Sequence, residues 1–174
     1  MSRFLLPAIV FIFFILEGTV FQIFAPERYG ATFVIIPRMV LITIVIIGII
    51  RGRTSGVLFG IGFGLLYDVV YTEMLGVYMF SMGVIGYVCS LPYRPIQRSY
   101  FLIVLTCIIA VIIQEYYLFG VYSLLGIAHM TSEQFLYSRF SSTLLFNIFL
   151  SLILVGPLRK YVQYLDRMEK QLDQ

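Results

Sequence analysis

The chain alternates between long apolar runs and short polar connections. A helix that crosses a membrane needs about 20 mostly apolar residues, and six runs reach or approach that length. They cover residues 4–24, 31–50, 57–72, 75–91, 100–125 and 140–155. The pattern predicts an all-α integral membrane protein with six transmembrane helices in one bundle, formed by residues 1–158.

Glycine and proline positions refine these predicted helices. The third and fourth runs are short and are joined by a few residues around Glu73, which predicts a tight helical hairpin whose sharp turn Gly76 permits. Because proline lacks a backbone N–H, Pro37 is expected to kink the second helix and Pro157 to end the sixth.

Composition supports the membrane class. The 174 residues are 60% hydrophobic and 12% charged, whereas about a quarter of a soluble domain is charged. No separate soluble domain is expected, and the absence of a basic stripe argues against nucleic-acid binding.

Cys89 and Cys107 lie within apolar runs and are interpreted as small core residues. Glu17 and the long apolar continuation after it favour a retained first helix over a cleaved signal peptide.

The distribution of lysine and arginine predicts the orientation. With the N-terminus in the cytoplasm, nine basic residues fall on the cytoplasmic side, against three elsewhere, which favours six spans with both termini cytoplasmic. The nine are Arg3, Arg51, Arg53, Arg94, Arg98, Arg159, Lys160, Arg167 and Lys170, and the three are Arg28, Arg38 and Arg139.

The last residues form a second predicted unit, a cytoplasmic amphipathic tail over 159–174. Leu158, Val162, Leu165 and Leu172 fall on one face of a helix there, with charged residues around the rest. Two interpretations stay open. The tail is either a helix on the inner membrane surface or against a partner, or the solvated end of the sixth helix.

The third run carries a ridge of glycines. Gly56, Gly60 and Gly64 are four residues apart, and Asp68 follows at the same spacing, so all four share one side of a helix. In membranes such ridges let two helices approach closely. We therefore predict a helix-packing or partner interface at Gly56, Gly60 and Gly64, with Gly76 grouped with them.

Four ionisable residues fall inside the predicted spans, at similar depth in the outer half of the membrane: Glu17, Arg38, Asp68 and Glu115. Charges in hydrocarbon need partners, so these residues predict a buried polar cluster. Arg38 requires an acidic neighbour, for which Asp68 is the first hypothesis and Glu115 the other candidate. The cluster either fixes the packing of the helices or faces a cavity for a ligand or a proton.

No motif for catalysis, cofactor binding or metal binding is found. The glycines at 60, 62 and 64 lie inside an apolar run without the strand, turn and helix of a phosphate-binding loop. The single histidine, His129, lies in a predicted loop away from other ligand types. We expect no enzyme activity, no cofactor and no metal.

Several of these features together resemble the MreD family of rod shape-determining membrane proteins. The specific part is the glycine-rich run with its aspartate and following glycine, residues 62–78, GFGLLYDVVYTEMLGVY. The short basic loop RGRTSG, the proline-basic loop PYRPIQRS and the basic amphipathic end are similar as well.

That resemblance implies a non-enzymatic, multi-pass subunit of the cell-elongation machinery in the inner (plasma) membrane of a bacterium. Members partner with MreC, a bitopic membrane protein, and through it with MreB, RodA and a class B penicillin-binding protein. The family is also similar in fold to the substrate-binding subunits of energy-coupling-factor vitamin transporters. A vitamin-binding subunit of that kind is the alternative function, in which the polar cluster would be the ligand site.

Overall fold

The computed structural model describes residues 4–23, 33–90, 94–127 and 131–172. Throughout these ranges the regular elements are helical. They are α1 (Leu5–Ile23), α2 (Met39–Arg51), α3 (Arg53–Tyr71), α4 (Val77–Val88), α5 (Arg94–Arg98), α6 (Tyr100–Leu124), α7 (Ser132–Gln134), a π-helical turn (Phe135–Phe140) and α8 (Ser141–Leu172). The predictions for Arg3, Arg28 and His129 lie outside the described residues.

Length and composition distinguish two kinds of helix. Three are long and apolar enough to cross a membrane, namely Arg53–Tyr71, Tyr100–Leu124 and Ser132–Met168. Three shorter apolar helices accompany them, Leu5–Thr19, Met39–Arg51 and Val77–Val88. Each of the six predicted apolar runs thus overlaps one of these helices, and the described part of the chain is all-α, as in a helical membrane protein.

Helix α2 forms the centre of the bundle. All its residues from Met39 to Ile49 are buried, and it contacts α1, α3, α6 and α8. A helix that is apolar on every side is stable only where neighbours cover every side. The run of isoleucine and valine in α2 meets that condition.

The second predicted helix differs from the structure at its N-terminal end. Instead of a kinked helix over 31–50, residues 33–38 have no regular structure and α2 begins at Met39. The cause is Pro37, because proline disfavours helical backbone in the residue before it. A prediction from hydrophobicity alone could not show this, since the run stays apolar across the break.

The C-terminal helix also differs from the prediction. Pro157 lies inside α8 instead of ending it, so the predicted boundary between residues 1–158 and the tail at 159–174 falls within one continuous helix. Leu158, Val162 and Leu165 are buried in the same apolar core as α2. We attribute the continuity to this burial, which offsets the single hydrogen bond that proline cannot donate.

Candidate functional site

Arg38 is the centre of the buried polar side chains. It directly precedes α2, and its side chain is 3% exposed. Its Nε donates to Oε1 of Glu115 at 2.8 Å, and its Nη2 donates to the same oxygen. Nη1 donates to the Tyr78 hydroxyl at 3.5 Å, and the guanidinium lies 5.6 Å from the centre of the Tyr78 ring. The arginine is therefore held by one carboxylate and one aromatic ring.

Glu115 lies between two guanidinium groups. It belongs to α6 and is 1% exposed. Its second oxygen, Oε2, accepts a hydrogen bond from Nε of Arg139 at 3.3 Å. Arg139 belongs to the π-helical turn before α8 and is partly exposed, with 22% of its side chain accessible. We call Arg38, Tyr78, Glu115 and Arg139 the Arg38 network.

The irregular segment 33–38 is tied to the first turns of α8. Asn147 is the main contact, because its Nδ2 donates to Ile36 O and its Oδ1 accepts from Arg38 N, both at 2.8 Å. Thr143 accepts from Ile36 N at 3.3 Å, and its hydroxyl donates to Val34 O at 3.3 Å. Irregular backbone leaves N–H and C=O groups without helical partners, and these two side chains supply partners to several of them.

Glu17 contacts the start of α2. Its Oε1 accepts from Val40 N at 3.2 Å, and the side chain is buried. The first N–H groups of a helix have no partner within that helix. Glu17 therefore acts as a cap that reaches α2 from α1. Its partner, Val40, lies two residues after Arg38 in the sequence.

Asp68 has partners different from those predicted. Its Oδ2 accepts from Gly76 N and Met79 N, both at 2.9 Å, and its Oδ1 accepts from Tyr78 N at 2.8 Å. The hypothesis of a direct pair with Arg38 is wrong, because Arg38 donates to Glu115. Asp68 instead satisfies the free N–H groups at the start of α4. Tyr78 connects the two sites, since its N–H bonds to Asp68 and its hydroxyl to Arg38.

The three ridge glycines of α3 pack against the backbone of α4. A Cβ atom built on Gly60 would lie 2.4 Å from Met82 O, and one on Gly56 would lie 2.5 Å from Gly86 O. On Gly64 it would lie 2.6 Å from Met79 Cα. These distances leave no room for a side chain. The surface of the ridge is therefore covered by α4 of the same chain.

Gly76 has a different role from the ridge. Its φ is +103°, and no atom lies within 4 Å of a Cβ built there. It forms the left-handed turn before α4, a conformation that glycine adopts without strain. Its N–H also donates to Asp68.

The arrangement offers no metal site within the described residues, where no group of three or more His, Cys, Asp or Glu side chains could hold an ion. Each of the four predicted polar residues instead hydrogen-bonds to another group of the bundle. Glu17 and Asp68 bind backbone N–H groups, and Arg38 and Glu115 bind each other.

Comparison with known proteins identifies the family. A family model described as rod shape-determining protein MreD matches residues 2–165. The chain belongs to the MreD family. It is also 32% identical over 167 residues to the rod shape-determining protein MreD of Bacillus subtilis (strain 168), covering 96% of this chain and 97% of that protein. No solved structure matches the chain.

Within this MreD-family chain, two contributors to the site were missed at the level of sequence. Neither Tyr78 nor Thr143 is among the site residues predicted from the sequence. Thr143 and Asn147 are one helical turn apart and are buried in α8, a spacing that points both to one neighbour. That spacing was the available signal. Nothing in the sequence indicated the contact between Tyr78 and Arg38.

Proposed function

We propose that the chain is a non-enzymatic membrane subunit of the cell-elongation (rod-shape) complex. In this proposal it binds an MreC-like bitopic membrane protein and, through it, helps couple MreB to peptidoglycan synthesis by RodA and a class B penicillin-binding protein. The observation that carries the proposal is the extent of the family match, residues 2–165. A match of that length means that the chain is similar to the family along nearly its whole sequence and not in one helix only.

We propose further that the six apolar helices all cross the bacterial plasma membrane, with both termini in the cytoplasm. Helices α2 and α4 are short for a crossing. Glu17 and Asp68 accept hydrogen bonds from backbone N–H groups at their N-terminal ends. The excess of basic residues on the predicted cytoplasmic side supports this orientation. Cysteine labelling from each side of the membrane tests it. Labelling of position 172 only after permeabilisation is expected, and labelling from outside would contradict it.

The geometry favours a scaffold over the alternative of a vitamin-binding transporter subunit. A ligand site presents polar groups that a ligand can reach. In the Arg38 network the guanidinium and the carboxylate are buried and bonded to each other. We therefore propose that Glu17, Arg38, Asp68 and Glu115 stabilise the packing of the helices. By the same reasoning, the ridge of Gly56, Gly60 and Gly64 stabilises the α3–α4 hairpin and leaves partner binding to another surface.

Depletion of the protein in a rod-shaped bacterium separates the two functions. Loss of an elongation subunit should produce round cells in rich medium, whereas loss of a vitamin-binding subunit should produce a growth requirement that added vitamin relieves. Purification of the tagged protein from gently solubilised membranes should recover a bitopic protein with a large extracytoplasmic domain. Normal rods together with a nutrient requirement would refute the proposal.

A further inference from the structure

The outer face of the α3–α4 hairpin carries an apolar groove. The groove has a volume of about 370 Å³, which lies within the range of about 300–1,000 Å³ typical of ligand pockets. Its walls include Val57 and Ile61 from α3 and Phe80 and Tyr87 from α4. None of the polar groups of the Arg38 network lines it, so it is separate from the site described above.

A single glycine makes the groove deep. Gly83 lies on the groove, and a Cβ built there would lie 3.0 Å from Cγ1 of Ile61. On both sides of it stand large exposed side chains, including Phe80, which is 59% exposed, and Tyr87, which is 52% exposed. Gly83 thus leaves a gap between two aromatic side chains on one face of α4, and this apolar channel runs along the hairpin for roughly two helical turns between Phe80 and Tyr87, about 10 Å.

A cation lies at one end of this channel. Arg53 begins α3 one turn before Val57, and its Cζ lies 5.0 Å from the centre of the Tyr87 ring. Its side chain is exposed. Among the residues that the structure describes, no carboxylate lies within ion-pair distance of Arg53. The aromatic ring therefore holds the guanidinium beside the groove and leaves its N–H groups available.

We propose that this groove binds an anionic glycerophospholipid, with an acyl chain along Val57, Ile61 and Gly83 and the phosphate on Arg53. Charge complementarity selects the occupant. An arginine can bind phosphate through two N–H groups, and anionic headgroups attract basic residues at the membrane surface. Val57 follows Arg53 by one turn of α3, about 6 Å along the helix axis, and the guanidinium lies against Tyr87, which lines the groove. The first acyl carbons of a lipid bound on Arg53 would therefore lie beside the apolar lining.

A transmembrane helix fits the groove less well than a lipid chain does. Close packing of membrane helices uses small residues spaced four apart, and in this hairpin Gly56, Gly60, Gly64 and Gly86 already pack α3 against α4. On the face of α4 that lines the groove, Gly83 is one small residue between the bulky Phe80 and Tyr87. A flexible acyl chain can lie between such side chains without a close approach of backbones.

The test is native mass spectrometry of the purified full-length chain with added phosphatidylglycerol or phosphatidylcholine. The wild type should retain phosphatidylglycerol in preference to phosphatidylcholine. Arg53→Gln should lower phosphatidylglycerol retention about fivefold, which corresponds to about 1 kcal/mol for one basic residue near the membrane surface, and should remove the preference. Val84→Phe, which places a larger side chain on the groove, should lower the retention of both lipids.

Two matched variants serve as controls. Lys160→Gln removes an exposed charge from α8, and Leu58→Phe enlarges an exposed side chain of α3 that does not line the groove. Both should bind lipid as the wild type does. The proposal is overturned if Lys160→Gln reduces retention as much as Arg53→Gln, or if Val84→Phe has no effect. Efficient cross-linking of Val84→Cys to another polypeptide in native membranes would also overturn it, because a protein would then occupy the groove.

Discussion

Replacement of Glu115 by glutamine should destabilise the bundle more than any other change of one polar atom in the Arg38 network. The variant keeps the shape of the side chain but leaves Arg38, which is 3% exposed, without a counter-charge. Removal of one partner from a buried ion pair costs about 3–5 kcal/mol. We expect about 3 kcal/mol, the lower end, because an unfolded membrane protein also finds polar partners in a micelle.

Arg139→Gln is the variant with which the destabilisation by Glu115→Gln should be compared. Arg139 bonds to the same carboxylate, but its contact is longer, 3.3 Å, and 22% of its side chain is exposed. Solvent screens such a pair, so its loss should cost only about 1 kcal/mol. The structure thus predicts a clear order for two arginine contacts that the sequence alone does not distinguish.

The assay is unfolding of the purified chain in mixed micelles by increasing sodium dodecyl sulfate, followed by circular dichroism. The double variant Arg38→Gln/Glu115→Gln should be more stable than the sum of the two single losses predicts, because neither charge is left alone. Strict additivity would refute a direct pair. A loss below about 1 kcal/mol for Glu115→Gln would refute the buried-charge argument itself.

Three further changes are tested, two by the same unfolding assay and one by hydrogen exchange. Gly60→Leu should cost about 3 kcal/mol, the upper end for overpacking, because a Cβ there meets backbone, while the exposed Gly62→Leu should cost nothing. Asp68→Ala should speed hydrogen exchange at the first amides of α4, which lose their acceptor, and unchanged exchange would contradict the cap. Asn147→Leu should cost about 2 kcal/mol by leaving Arg38 N–H and Ile36 C=O unpaired. Asn147→Asp retains the acceptor for Arg38 N–H and should therefore lose less stability than Asn147→Leu.

The positions of the helices could be predicted because the membrane makes hydrophobicity the dominant signal. The glycines of α3 were likewise informative, since a spacing of four places small residues on one side of a helix. The ends of the helices were less predictable. Pro37 and Pro157 carry the same local restriction, yet α2 begins after the first and α8 continues through the second. Tertiary contacts decide between these outcomes, and the sequence does not state them.

The partners of the buried acids could not be predicted for a related reason. A carboxylate in an apolar run suggests a search for a cation, and the sequence offered Arg38 to both Asp68 and Glu115. Backbone N–H groups were the competing donors, and they become available only where a helix begins. The sequence did not show that α2 and α4 begin beside Glu17 and Asp68.

The lengths of these two helices explain why the acids are needed. Helix α2 has 13 residues and α4 has 12, which correspond to about 20 Å and 18 Å, against a hydrocarbon core of about 30 Å. In a membrane-spanning bundle their N-terminal ends therefore fall at a depth where water cannot satisfy the first N–H groups. Glu17 supplies an acceptor to α2 from a neighbouring helix, and Asp68 supplies acceptors to α4 from the other arm of its hairpin. Among the buried acids that the structure describes, Glu115 is the one that is ion-paired with arginines. Its removal should therefore disturb charge balance, whereas removal of Glu17 or Asp68 should loosen the start of a helix.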